Sequence, residues 1–109
     1  MAFDEGLAKR LLHELRDLDA VTEKRSFGAY GVMLHGNRGF GVIGEELVVR
    51  VGSDAYEDAL ALPHARPFDF TGRPMKGWVY VSTEGFQDDE DFKAWVARGV
   101  EFVLTLPEK

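Results

Sequence analysis

Leu7, Leu11, Leu15 and Leu18 fall on one stripe, widened by Ala8 and Leu12, and predict an amphipathic helix over residues 4–18. Asp4 suits its N-cap, because a carboxylate there accepts bonds from first-turn amides, although Gly6 weakens that start slightly. From residue 23 the period changes to two. Tyr30, Val32 and Leu34 alternate, then Arg38, Phe40 and Val42, then Leu47, Val49 and Val51. The joints are His35-Gly36-Asn37-Arg38 and Gly44-Glu45-Glu46, where Gly36 and Asn37 both tolerate the positive φ that two-residue hairpin turns need. With Lys24–Phe27 ahead of them, these segments predict an antiparallel meander of three or four strands. Such a sheet buries one face and leaves the other wet.

Ser53 or Asp54 then caps a short helix from Ala55 to Leu62, ended by Pro63, which disfavours helical geometry in the residue before it. Pro67–Phe70 and Trp78–Ser82 read as two further strands flanking a glycine–proline loop. The last helix has the plainest signature. Asp88 caps it, Asp89, Glu90 and Asp91 place negative charge at its positive end, and Phe92, Trp95, Val96, Gly99, Phe102, Val103 and Leu106 form a buried stripe. Gly99 on that stripe points to close approach of another backbone. N- and C-terminal helices beside a small antiparallel sheet cover its apolar face, so the expected fold class is α+β in two layers. The rings of Phe27, Tyr30, Phe68, Phe70, Trp78, Tyr80, Phe92, Trp95 and Phe102 would fill most of the core.

Composition bounds this picture without redirecting it. A chain of 109 residues makes one domain, placed at residues 4–106. With 45% apolar and 29% charged residues it belongs with ordinary globular chains. Its longest apolar run is far too short for a ~30 Å bilayer, and no basic-then-apolar leader opens it, so a cytoplasmic location and no membrane partner are expected. The absence of cysteine removes disulfides, thiolate catalysis and zinc-finger ligation. The net charge of −6 is uneven: residues 1–20 sum to −2, residues 21–80 to zero and residues 81–109 to −4. A basic footprint for DNA is missing from the whole chain. The neutral middle nevertheless carries Lys24, Arg25, Arg38, Arg50, Arg66, Arg73 and Lys76.

Reactive constellations are hard to assemble. Gly39-Phe40-Gly41-Val42-Ile43-Gly44 matches the dinucleotide pattern in letters, but a strand with two leading acids follows it where a phosphate-binding helix would be needed. The glycines read instead as small residues on one sheet face beneath a closely packed element. His13, His35 and His64 lack metal-ligand spacing, Ser26, Ser53 and Ser82 lack a nucleophile elbow, and Asp88-Asp89-Glu90-Asp91 lacks the alternating ligands of a calcium loop. No catalytic residue, metal ligand or cofactor is expected. Arg50, set between valines, reads as a brace paired with Glu23, Asp54 or Asp69, or as a binding group. Arg73 and Lys76 ride the loop and are the stronger candidates, since loops on rigid scaffolds carry much of protein function.

Three blocks in order resemble the N-terminal domain of TfoX/Sxy-type competence regulators: Lys24-Arg25-Ser26-Phe27-Gly28-Ala29-Tyr30-Gly31, Glu46-Leu47-Val48-Val49-Arg50-Val51, and Phe68-Asp69-Phe70-Thr71-Gly72-Arg73-Pro74-Met75-Lys76-Gly77-Trp78-Val79-Tyr80-Val81. Where the family usually has methionine and a second glycine, this chain has Ser26 and Ala29. The resemblance covers roughly residues 5 to 106. It implies an α+β domain of bacterial regulators, without catalytic residues, here standing without the C-terminal helical domain of full-length members. The expected function is a non-catalytic regulatory or adaptor domain acting by contact with a protein partner, in transcriptional or competence regulation. Two other uses stay open: nucleic-acid binding through Arg25, Arg50, Arg73 and Lys76, the same four residues that would meet a protein partner, and a ligand-binding or enzymatic pocket around Gly39 and Gly41. Pairing of sheet edges into a homodimer stays open as well.

Overall fold

Asp4 does cap the first helix: its Oδ1 accepts from the Leu7 amide at 3.1 Å. The computed structural model describes residues 3–26, 28–69 and 72–108, and of Ser26 the backbone alone. Phe27, Phe70 and Thr71, which the strand and loop expectations include, lie outside the described residues. Helix α1 spans Glu5–Glu14 and is shorter than its leucine stripe. Leu15 is nevertheless fully buried and Leu18 packs at the core margin, so the stripe marks burial beyond the helical hydrogen bonds.

Six strands form one antiparallel sheet: β1 Val21–Ser26, β2 Ala29–Leu34, β3 Asn37–Ile43, β4 Glu46–Arg50, β5 Ala65–Pro67 and β6 Trp78–Val81. Their order is β1-β2-β3-β4-β6-β5. The first four make the expected meander, and β6 then pairs with β4 while β5 takes the outer edge. Between β4 and β5 lies α2, Tyr56–Leu60, and α3 follows at Asp89–Val103. Asp88 caps α3, accepting from the Glu90 amide at 2.8 Å.

Helices α1 and α3 cover one face of this sheet. Val32, Leu34, Phe40, Val42, Leu47, Val49, Val79 and Val81 meet Leu7, Leu11, Phe92, Trp95, Val96 and Val103 in a single core. At Gly99 an added Cβ would stand 2.5 Å from the Phe40 ring and 3.1 Å from Val49 Cγ1. The close approach expected at Gly99 is therefore to side chains rather than to backbone.

Three local expectations are corrected. The positive φ values of the β2–β3 turn belong to His35 (53°) and Gly36 (81°), while Asn37 starts β3 and buries its amide, which donates to the Pro107 carbonyl at 2.9 Å. At the start of α2 neither Ser53 nor Asp54 caps; Ala55 holds that place with no side-chain bond. The strand expected at Pro67–Phe70 runs instead from Ala65 to Pro67: Phe68 still donates to the Trp78 carbonyl at 3.3 Å, but its own carbonyl accepts from the Met75 amide of the loop at 3.0 Å, which ends the ladder.

Candidate functional site

The sheet has a second face, which neither α1 nor α3 covers, and cross-strand register defines what lies on it. Lys24 pairs with Gly31, Gly31 with Gly41, Gly41 with Val48, Val48 with Tyr80 and Tyr80 with Arg66. This row runs cation, glycine, glycine, valine, tyrosine, cation. Side chains in one row share a face, so two adjacent glycines leave a gap in the surface. Ala29, Met33 and Ile43 rise around that gap and Phe68, Met75 and Trp78 wall it on one side. The result is an apolar trough of about 430 Å³ with Lys24 and Arg38 at its rim.

A β-bulge separates the two strand glycines. Val32 opposes Phe40 while Met33 opposes Arg38, so Gly39 is the extra residue. The two strand glycines therefore do not share a face. An added Cβ at Gly39 would meet Val103 of α3 at 3.1 Å, in the covered layer, whereas Gly41 floors the trough. Gly44 has no part in either and supplies the positive φ (60°) of the β3–β4 turn.

The loop before β6 forms the wall. Val51 and Gly52 both donate to the Gly77 carbonyl, at 2.7 and 3.1 Å, which pins the loop to the end of β4. Gly77 takes φ 95° there, a conformation L side chains rarely adopt, and an added Cβ would press on the Gly52 carbonyl carbon at 3.2 Å. The Phe68 ring sits 6.0 Å from Trp78 and 4.9 Å from Tyr80, so the wall is aromatic and braced. Arg66 clamps the far end: it is bidentate to Glu46 and its guanidinium lies 4.5 Å from the centre of the Tyr80 ring. Hydrogen bonding to Glu46 raises the Arg66 pKa, and burial, helped by Glu46, raises that of Tyr80.

The four cations singled out from sequence separate into two groups. Arg25 stands on the helix-covered side of edge strand β1, bonded to Glu5 at 3.3 Å and within 5.7 Å of the Phe3 and Tyr30 ring centres. Arg50, Arg73 and Lys76 lie at the other end of the sheet, on or beside the pinned loop. Arg50 has no carboxylate partner among the described residues; it donates to the Arg38 carbonyl at 3.2 Å and lies 5.4 Å from the ring centres of both Trp78 and Phe102. Its brace is thus aromatic and backbone, and Glu23 is engaged by the Tyr30 hydroxyl instead. Arg73 and Lys76 are exposed. Lys24 and Arg38, which line the trough, carried no distinguishing mark in the sequence. A hint was available in Gly31 and Gly41, which alternate out of phase with the buried Tyr30, Val32, Phe40 and Val42, but it takes the register to place them side by side.

Of the histidines, His13 is exposed on α1, His64 is exposed in the turn between α2 and β5, and His35 stands in the β2–β3 turn, its Nδ1 3.9 Å from Glu108. Among the described residues no three histidine or acidic side chains gather as metal ligands would. None of the described helices is long and apolar enough to cross a membrane. No curated protein and no solved structure matches the chain. The family model of the TfoX N-terminal domain matches residues 13–103, which takes in the last two residues of α1, the whole sheet, α2 and α3. The chain belongs to the TfoX N-terminal domain family.

Proposed function

We propose that this domain is a non-catalytic regulatory adaptor that works by docking a protein partner on the face of the sheet left bare by its helices. The trough is the observation that carries this reading. Its lining combines apolar side chains with Lys24 and Arg38 and, among the described residues, includes no carboxylate or imidazole. Among the described lining residues Tyr30 alone bears a hydroxyl, and it directs that hydroxyl to Glu23 on the covered side at 3.0 Å. A surface of this kind supplies contact area and charge for recognition, and little for proton transfer.

Gly31→Leu tests the reading. An added Cβ at Gly31 meets nothing nearer than 3.7 Å, so the larger side chain fills the trough while leaving the strand intact. The immobilised wild-type domain is expected to retain a protein from a lysate of the source organism that Gly31→Leu fails to retain. Identical sets of retained proteins would remove the trough from the account of function.

A further inference from the structure

We infer that the trough receives one helix of a partner protein, amphipathic and acidic along the flanks of its apolar stripe. This inference rests on the docking reading above and specifies the chemistry of the docked segment. The first argument is backbone supply. The floor strands β2 and β3 are each paired on both sides, β2 with β1 and β3, and β3 with β2 and β4. Neither floor strand presents a free edge to an added strand, so recognition there must come from side chains.

The second argument is size. Four residue steps from Ala29 to Met33 span about 13 Å, and three strand spacings from Lys24 to Val48 span about 14 Å. A helix with its side chains is about 10–12 Å across. The glycine pair lowers the floor where the axis would pass, and 430 Å³ gives room for apolar side chains projecting downward. The opposite face of this sheet already solves the same packing problem with α3, whose Gly99 lets the helix settle onto Phe40.

Charge decides the partner's sign. Among the described residues the arginine–carboxylate pairs are Arg10–Asp89, Arg25–Glu5 and Arg66–Glu46, and none of them uses a residue lining the trough. Lys24 and Arg38 are left to answer charge on an incoming segment, with Arg73 and Lys76 exposed on the loop beyond Trp78. A neutral or basic helix would bury these cations without compensation, and an acidic one would pair them. A second copy of this chain is a poor occupant, because the apolar stripes of its own α1 and α3 are already buried in its core.

The test uses two synthetic helical peptides of about 18 residues, sharing a leucine stripe flanked by glutamates in one and by lysines in the other. Binding to the intact domain is read by anisotropy of the labelled peptide, with Trp78 emission as the reporter inside the trough. The glutamate peptide is expected to bind at least about tenfold more tightly at low salt, a preference that shrinks as salt rises. Lys24→Glu combined with Arg38→Glu should invert the preference, and Gly31→Leu, checked for folding by circular dichroism, should bind neither peptide. Equal affinity for both peptides, or wild-type affinity in Gly31→Leu, would overturn the inference. So would a wild-type dimer in sedimentation that Gly31→Leu dissociates, since the trough would then belong to a second copy. Should both peptides fail while Gly31→Leu still loses a natural partner, the helix is wrong and the docking reading stands.

Discussion

Gly99 shows how one missing methyl group fixes the distance between layers. The Phe40 ring and Val49 occupy the space a Cβ would take, at 2.5 and 3.1 Å, and both are buried with little freedom to yield. Gly99→Ala gains helix propensity but overpacks the core, and overpacking of this kind costs about 1–3 kcal/mol. A lower urea midpoint with an unchanged m-value is the expected result. Tyr30 carries a second residue-level consequence. Burial, then its hydrogen bond to the Glu23 carboxylate, raises its pKa well above the usual tyrosine value. A group whose pKa is raised by folding holds its full contribution below the unfolded value, about 10, and loses it as pH climbs toward the folded one. Thermal midpoints measured above pH 10 should therefore fall in the wild type and fall less steeply in Tyr30→Phe. A residual slope is expected from Tyr80, which is shifted in the same direction.

The elements differ in how far local sequence determines them. Helix α3 rests on its own residues: Asp88 accepts the Glu90 amide, three acids follow in the first turn, and Phe92, Trp95, Val96, Gly99 and Val103 are buried as their spacing requires. Asp88→Ala should cost roughly 0.5–2 kcal/mol, seen as a lowered thermal midpoint with the fold retained. The meander was legible for the same reason, since Tyr30, Val32 and Leu34, or Leu47 and Val49, need only a period of two to declare which face they bury. Illegible features depend on pairing at a distance. Nothing in residues 65–81 reveals that Trp78–Val81 will pair with β4 and displace Ala65–Pro67 to the edge. Gly39 and Gly41 look alike in sequence, and only the bulge opposite Val32 and Met33 sends one toward Val103 and the other into the trough. Arg25 and Arg50 likewise stand near apolar strand residues in the sequence, yet register puts them on opposite sides of the sheet. The candidate site was half visible for this reason: its loop and Arg50 were marked by composition, while Lys24, Arg38 and the glycine floor exist only through register.

Charge is separated over the molecule as a whole. The chain carries −6, yet the trough is rimmed by Lys24 and Arg38 and bordered by a loop bearing Arg73 and Lys76. The two tryptophans sample these regions separately. Trp95 is 4% exposed inside the core, whereas Trp78 is half-buried in the trough wall with the Arg50 guanidinium 5.4 Å from its ring centre. Ionic quenchers can therefore read the local sign of the field. An acidic protein taken as a uniform body would attract caesium and repel iodide, but cations within a Debye length of about 8–10 Å outweigh more distant acids at moderate salt. The part of the emission that Trp78→Phe removes should be quenched by iodide more strongly than by caesium. That difference should fade toward ~1 M salt, where the screening length falls to about 3 Å. The emission left in Trp78→Phe, from Trp95, should resist both ions. Stronger caesium quenching of the Trp78 component would mean that the acidic body governs the trough as well, and a partner chosen by negative charge would then have no field to meet it.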